Sequence, residues 1–248
     1  MRTYTRSSLK ILVLAAALAV VAGVAAAADS HQGRPLTVVE LFTSQGCSSC
    51  PPADAFLGEL ARRDDVLALS VHVDYWDYIG WKDPFASPKN TQRQRRYAKS
   101  LGLRYIYTPQ MVIQGADHAT GSDRARILAK IAQAAKTDRV AVGIRRDGNG
   151  LLVRVPAGAG EEAAVWLAFF DSRQDTEIKR GENSGRTLSY YNVVRSMTRI
   201  GTWSGRALDI RTAMSDLLGQ GSDNCAVILQ SVKTGRILGV ARVALGKN

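Results

Sequence analysis

The stretch Gly46-Cys47-Ser48-Ser49-Cys50-Pro51-Pro52 decides how the rest of the sequence is interpreted. An apolar strand pattern at residues 36–42 comes before it, and apolar residues at helical spacing follow it at Phe56, Leu57 and Leu60. The two prolines fit the first turn of a helix, where a missing N–H costs little. Two cysteines three apart at such a strand-to-helix turn indicate a redox dithiol first and a metal site second.

The first 28 residues have the pattern of an export signal. Three basic residues lie within the first ten, residues 11–21 are an unbroken apolar run, and the small residues at 25–28 offer a cleavage site. The apolar stretch is short for a membrane span, so we expect cleavage near Ala28 and no stable membrane anchor afterwards. The sequence therefore predicts a periplasmic or secreted protein, in which a dithiol can cycle through a disulfide.

The charge of the chain does not by itself indicate a partner. The formal net charge is +11 over 248 residues, and removal of the signal leaves +8. Because the basic residues are scattered and no nucleic-acid-binding motif accompanies them, we predict no nucleic-acid partner. The residues that remain after the signal are enough for one large domain or two small ones.

Residues 35–137 alternate strand and helix patterns in the order βαβαββα, which predicts an α/β domain. Residues 66–74 form a strand that is largely apolar on both faces, as in the centre of a covered sheet. An aromatic insertion at residues 75–87 follows this strand. Ser87 and Pro88 then predict the start of a basic helix, with serine as the cap and proline in the first turn.

Residues 140–248 have a different character, and they predict a β-rich, sandwich-like C-terminal module. Alternating apolar residues on both sides of Asp147-Gly148-Asn149-Gly150 indicate a hairpin. Further strand patterns follow, with a turn at residues 180–185 and a helix expected only at residues 212–218. Cys225 opens an apolar strand and is interpreted as a buried, inert thiol.

The expected chemistry of the dithiol assigns a separate role to each cysteine. Cys47, the N-terminal member, is the predicted nucleophile, because the positive end of a helix dipole favours the thiolate. Cys50, deeper in the helix, would resolve the mixed disulfide by attacking Cys47. Thr108-Pro109 opens a later strand, so Pro109 could face the dithiol and the Thr108 backbone could pair with a substrate peptide.

Other residues are candidates for lining this site. Asp74 and Trp76 follow a strand at the carboxyl edge of the predicted sheet, where α/β folds place their sites. They either line the dithiol or pack the loop, and packing is expected for Trp81. His72 is the candidate ligand if Cys47 and Cys50 instead bind copper or zinc.

Several segments resemble an uncharacterised family of secreted bacterial thioredoxin-like proteins, classified as a domain of unknown function. They are residues 40–52 (Glu40-Leu41-Phe42 through Cys50-Pro51-Pro52), His72-Val73-Asp74-Tyr75-Trp76-Asp77, Tyr107-Thr108-Pro109-Gln110, Arg180-Gly181-Glu182-Asn183-Ser184-Gly185 and Asn192-Val193-Val194-Arg195. The resemblance implies a thioredoxin-like domain followed by a β module, and a cis peptide bond between Thr108 and Pro109. It implies no established reaction.

In comparison with thioredoxin itself, the dithiol and the proline match, a buried acid is a further resemblance to test, and the sequence around the cysteines departs from the thioredoxin motif. Thioredoxins carry a buried acid on the strand before the dithiol, and Glu40 is the residue that resembles it. Glu40 therefore either manages the proton of Cys50 or is a polar strand residue paired elsewhere. The departure is the motif, because Gly46 replaces the tryptophan of thioredoxin and Ser48-Ser49 replaces Gly-Pro.

The leading hypothesis from the sequence is an exported thiol–disulfide oxidoreductase. Its predicted site is Cys47, Cys50, Pro109 and Glu40, lined by Thr108, Asp74 and Trp76. Its substrate would be a protein or a low-molecular-weight thiol or disulfide, its redox partner is open, and no cofactor or metal is implied. Two alternatives remain: a copper- or zinc-handling protein, and a non-catalytic binding module with a structural disulfide.

Overall fold

The structure, a computed structural model, describes residue 1, residues 35–213 and residues 221–246. The predicted export signal at residues 1–28 therefore lies outside the described residues, apart from its first residue. None of the helices within the described ranges is long and apolar enough to cross a membrane.

The first half of the described chain follows the predicted order of strands and helices. Its elements are β1 (Thr37–Thr43), α1 (Pro51–Ala61), β2 (Val66–His72), α2 (Pro88–Ser100), β3 (Gln110–Ile113), β4 (Asp117–Thr120) and α3 (Arg124–Ala134). A short 3-10 turn, Asp77–Ile79, lies within residues 75–87, which we call the aromatic segment. Helix α2 begins as predicted, because the Ser87 side chain accepts a hydrogen bond from the backbone N–H of Lys89.

The second half is built of strands, as the alternating pattern predicts. They are β5 (Gly143–Asp147), β6 (Gly150–Val155), β7 (Ala163–Glu177), β8 (Thr187–Trp203), β9 (Leu208–Ala213), β10 (Asn224–Ser231) and β11 (Ile237–Ala244). The predicted helix at residues 212–218 is wrong at its start, because Thr212 pairs with Leu151 in the ladder between β9 and β6. Residues 214–220 of that helix lie outside the described residues.

Eight of the strands form one mixed sheet, in the order β11-β10-β7-β8-β2-β1-β3-β4. Strands β1 and β2 are parallel neighbours, and β8 joins them through the pair Ser70 and Val193. The sheet therefore contains strands from both predicted segments, and the described residues from 35 onward belong to one compact unit. The chain is a mixed α/β protein with a core made mostly of sheet, and the domain boundary between residues 137 and 140 stays a prediction.

Helices pack on both faces of β1 and β2 because these strands are apolar on both faces. All seven residues of β2 are buried. On one face Val39 and Ala68 contact the apolar side of α1, which includes Leu57. On the other face Phe42 packs with Tyr97 of α2. Burying each large apolar side chain contributes about 1.5–3 kcal/mol, so this double cover fixes the position of the loop between β1 and α1.

The remaining strands, β5-β6-β9, form a three-stranded sheet that packs on the large one. Leu151 and Val153 of β6 share an apolar cluster with Val165 of β7 and Val227 of β10. Apolar residues alternate along these strands, so one face of each strand contributes to the cluster.

Candidate active site

The two cysteines are joined as a disulfide in the loop from β1 to α1. Cys50 is the N-cap residue of α1, and Pro51 and Pro52 lie in its first turn, as predicted. Because prolines have no N–H, the first helical donors are Ala53 and Asp54, and both bond to the carbonyl oxygen of Cys50. Stabilisation of a thiolate here therefore rests on the helix dipole rather than on free first-turn N–H groups.

Of the predicted lining residues, Thr108 contacts the sulfur of Cys47, and Trp76 contacts Thr108. The Thr108 hydroxyl donates to Cys47 Sγ over 3.3 Å, and the indole N–H of Trp76 donates to Thr108 Oγ1 over 2.7 Å. The peptide bond between Thr108 and Pro109 is cis, as the family resemblance implies. The structure thus places Thr108, Trp76 and the start of the loop to β3 beside the dithiol.

Pro109 lies close to the start of α1 because Gly121, which lies between them, has no side chain. A Cβ at Gly121 would lie 2.7 Å from Ala53 Cβ and 2.9 Å from Pro109 Cβ. The backbone N–H of Gly121 also donates to the Pro109 carbonyl over 2.9 Å. Only glycine fits between the proline and the first turns of α1 at this separation.

The two acids predicted for the site, Asp74 and Glu40, form their hydrogen bonds with residues of α2. Asp74 Oδ1 accepts a hydrogen bond from the Thr91 hydroxyl. Glu40 forms a buried salt bridge with Arg93, in which the Arg93 Nη2 to Glu40 Oε2 distance is 3.0 Å, and it also accepts from the Tyr97 hydroxyl. The structure therefore matches the second interpretation of Glu40, a strand residue paired elsewhere.

A buried acid that was not among the predicted site residues, Asp54, lies in the first turn of the helix whose N-cap is Cys50. Asp54 follows Cys50 by four residues on α1, so the two side chains share one face of the helix. The Thr43 hydroxyl donates to Asp54 Oδ1 over 2.8 Å. Burial raises the pKa of Asp54 to about 7, although the charge of His72 acts to lower it. The signal in the sequence was an aspartate on the apolar side of the predicted helix.

His72 is bound to an acid rather than to the cysteines. Its Nδ1 atom lies 2.6 Å from Asp83 Oδ2, and both side chains are fully buried. Asp83 Oδ2 also accepts from the backbone N–H of Gln45, two residues before Cys47. Burial acts to raise the pKa of Asp83, but the charge and hydrogen bond of His72 outweigh it and leave that pKa lowered. Within the described ranges, no group of three or more His, Cys, Asp or Glu side chains could hold a metal ion.

The turn between β7 and β8, residues 178–186, covers the dithiol loop, and we call it the hairpin tip. The Asn183 side-chain amide donates to the carbonyl oxygens of Gln45 and Cys47 over 2.9 and 3.0 Å. Glu182 Oε2 accepts from the backbone N–H of Ser48 over 3.3 Å. Cys47 is only 1% exposed and Cys50 is 0% exposed. The sequence showed these residues as a turn, but nothing in it showed that the turn reaches the cysteines.

The aromatic segment covers the same loop from another side, and this explains Gly46. A Cβ at Gly46 would lie 3.1 Å from Ile79 Cδ1 and 3.2 Å from Trp76 Cβ. The tryptophan of thioredoxin therefore has no space at this position. Trp81 donates its indole N–H to Gln45 Oε1 over 2.8 Å, and a Cβ at Gly181 of the hairpin tip would lie 3.3 Å from Trp81 Cβ.

Cys225 is a free, buried cysteine in the cluster between the two sheets. Burial raises the pKa of its thiol well above the ordinary range. A protonated thiol in an apolar cluster is unreactive, in agreement with the inert role predicted from the sequence.

Comparison with known proteins identifies the family and finds two solved structures with a similar fold. A family model described as "Protein of unknown function (DUF1223)" matches residues 38–230. A crystal structure of a structural-genomics target from Agrobacterium tumefaciens is 34% identical, with a TM-score of 0.75 over 86% of this chain and 95% of that chain. HBP35 of Porphyromonas gingivalis is similar in fold alone, with 12% identity and a TM-score of 0.56 over 86% of this chain and 76% of that chain. No curated protein matches the chain.

Proposed function

The chain belongs to the DUF1223 family, and we propose that it is an exported thiol–disulfide oxidoreductase built on a thioredoxin-like domain. The observation that carries the proposal is the Cys47–Cys50 pair at the start of α1, with the Thr108 hydroxyl 3.3 Å from Cys47 Sγ. A cysteine pair of this spacing at the positive end of a helix is suited to thiol–disulfide exchange.

The arrangement of the first seven elements supports the thioredoxin-like part of the proposal. Strands β1 and β2 are parallel, β3 and β4 complete the sheet as an antiparallel hairpin, and helices lie on both faces. The dithiol is at the carboxyl end of β1, where α/β folds place their sites. The second half of the chain then contributes the hairpin tip to that site.

The reaction needs only the dithiol and a substrate disulfide. The Cys47 thiolate attacks one sulfur of the substrate, a mixed disulfide forms, and the other sulfur leaves as a thiolate. Cys50 then loses its proton and attacks Cys47 Sγ, which releases the second substrate thiolate and forms the Cys47–Cys50 disulfide. Two electrons pass from the protein to the substrate, and the reverse sequence oxidises a substrate dithiol.

Trapping of substrates tests this function. In a Cys225→Ala background, Cys50→Ala leaves Cys47 as the single thiol, and we expect it to accumulate mixed disulfides with thiol compounds or proteins of the exported compartment. The matched control, Cys47→Ala with Cys50 intact, should trap far less, because Cys47 is the proposed nucleophile and Cys50 the resolving cysteine. An empty trap with the Cys50→Ala protein would count against the oxidoreductase.

Burial of both cysteines favours one second candidate, a binding module whose disulfide is structural. With Cys47 1% and Cys50 0% exposed, exchange requires the hairpin tip or the aromatic segment to move. Equilibration with dithiothreitol separates the two candidates. A reduction potential below about −300 mV is typical of structural disulfides and would favour the second candidate, whereas a higher one would favour the oxidoreductase.

A further inference from the structure

Six buried side-chain polar atoms within the described ranges have no hydrogen-bond partner, and four of them lie close together near the start of α1. These four are Asp54 Oδ2, Ser70 Oγ, His72 Nε2 and Tyr190 Oη. Buried polar atoms are nearly always paired, so four of them together require a common explanation. We call these four side chains the buried polar cluster.

Three separate contacts place the buried polar cluster between α1, β2 and β8. Ser70 and His72 lie two residues apart on β2, so they point to the same face of the sheet. Asp54 is bound to Thr43, and Thr43 is the register partner of His72. The Tyr190 ring from β8 meets the His72 ring edge-on, with 4.8 Å between the ring centres.

The unpaired atoms are chemically complementary. Because the Asp83 carboxylate lies against His72 Nδ1, it favours a proton on that nitrogen and leaves Nε2 as the ring atom without a partner. Asp54 Oδ2 is an acceptor when ionised, and the hydroxyls of Ser70 and Tyr190 can donate. A carboxylate oxygen, two hydroxyls and a ring nitrogen in a closed space suit bound water and a shared proton.

The cluster lies next to Cys50 in particular. Asp54 is one helical turn beyond Cys50, and its backbone N–H donates to the Cys50 carbonyl over 3.1 Å. Cys47 instead accepts a hydrogen bond at its sulfur from the Thr108 hydroxyl. The groups of the cluster can therefore act on the resolving cysteine while leaving the nucleophile to the helix dipole.

We propose that the buried polar cluster is a proton-holding site for Cys50, in which Asp54 takes the thiol proton and His72, Ser70 and Tyr190 are positioning residues that hold Asp54 and water in place. The inference rests on the proposed function, because it concerns the step in which Cys50 attacks the mixed disulfide. The Cys50 thiol gives its proton to the Asp54 carboxylate, the Cys50 thiolate forms the new S–S bond, and the leaving substrate thiolate takes the proton back. No reactant beyond the substrate disulfide is needed.

Few charged groups affect the pKa values of Asp54 and Tyr190, so a shift in these pKa values can be assigned to a small set of residues. The groups that act on Asp54 are His72 of β2 and Asp83 of the aromatic segment. Those that act on Tyr190 are Asp54, Asp83 and Arg186 of the hairpin tip. Burial raises the pKa of Asp54 to about 7, which lets it gain and lose a proton near neutral pH.

The test measures the two cysteines separately with dithiobis(nitrobenzoate), whose coloured thiolate is released once by each attack. The reduced Cys225→Ala protein should show a first release when Cys47 attacks and a second when Cys50 closes the disulfide. The informative variant is Tyr190→Phe, which removes only the unpaired oxygen. Its matched control is Tyr191→Phe on the same strand, whose ring packs over Gly58 instead.

In Tyr190→Phe we expect the pH midpoint of the second release to shift by about one unit, or its rate at pH 7 to fall about tenfold, with the first release unchanged within about twofold. His72→Gln should act on the second release in the same direction, and Tyr191→Phe on neither. A Tyr190→Phe protein with an unchanged second-release pH profile would overturn the proton-holding site. If the reduced Cys225→Ala protein, without any further substitution, shows no first release, the oxidoreductase function itself is overturned.

Discussion

At the scale of single residues, Asp54 and Glu40 show that burial alone does not identify a reactive acid. Both side chains are buried, but Glu40 has an arginine partner, whereas Asp54 has one hydroxyl donor and an unpaired second oxygen. Burial without an ionic partner raises the pKa of Asp54 to about 7. Asp54 is therefore the acid that we propose for the site, and Glu40 belongs to the contact between β1 and α2.

Asp54→Asn should change how stability depends on pH. In the folded protein Asp54 keeps its proton up to about pH 7, whereas its ordinary pKa is 3.8, so the folded state holds the extra proton between these values. Stability from this group is then lost as pH rises from about 4 to 7. Asparagine removes that loss and keeps an acceptor for Thr43, so we expect a gain of up to about 4 kcal/mol at pH 8 and little gain at pH 4.

Urea unfolding of the oxidised protein at both pH values measures this effect. Asp64→Asn, at an exposed position in the turn after α1, is the control and should change neither midpoint. An equal effect of Asp54→Asn at pH 4 and pH 8 would contradict the raised pKa.

At the scale of elements, the hairpin tip is the part of the second half that enters the site. Strands β7 and β8 are 15 and 17 residues long, and their length carries the tip to the dithiol loop. Ile178 and Asn183 are buried there, and Arg186 donates to Asn183 Oδ1 over 2.9 Å, which orients the amide toward the two loop carbonyls. The long hairpin therefore positions the loop of the cysteines.

Asn183→Ala should loosen that loop. The two carbonyl oxygens of Gln45 and Cys47 would lose their donor, at a cost of about 1–3 kcal/mol. If the loop must open for exchange, reduction of the disulfide by dithiothreitol should become about tenfold faster. Ser184→Ala, an exposed change in the same turn, is the control and should leave the rate as it is. A slower or unchanged reduction of the Asn183→Ala protein would show that the tip does not limit access.

At the scale of the whole molecule, the two halves of the sequence share one sheet and one core. The cluster on the α2 face contains residues of the second half, Phe170, Val194 and Ile228, together with Leu69 of β2. Arg93 also donates to Gln230 of β10 over 3.1 Å while it pairs with Glu40, so α2 is bound to strands from both halves.

A fragment of residues 35–137 should therefore not fold by itself. It would lose the strand beside β2 and expose part of the α2-face cluster, and buried apolar area is the main stabilising contribution in a domain. We expect the fragment to show no cooperative thermal transition by circular dichroism, while residues 29–248 unfold in one transition. A cooperative transition of the fragment would establish the predicted boundary as a true domain boundary.

Local signals predicted much of this structure. The βαβαββα order, the Ser87 cap, the prolines at the start of α1 and the hairpin at residues 143–155 each depend on neighbouring residues, and the structure has all of them. The pairing of Glu40 with Arg93 could not be chosen in advance, because the two residues are 53 positions apart in the sequence. Thr212 was placed in a helix because its pairing with β6 is equally non-local.

The sequence by itself determined the position of the cysteine pair between a strand and a helix, and it indicated the threonine and proline that lie beside the pair. Periodicity, caps and turns contain that information locally. Only the tertiary structure decided that Asp54 is buried with an unpaired oxygen, that the hairpin tip covers Cys47, and that four unpaired polar atoms are enclosed together. The physical reason is that burial and pairing depend on residues far apart in sequence, such as Asp54, His72 and Tyr190, which meet only when the sheet and α1 have packed.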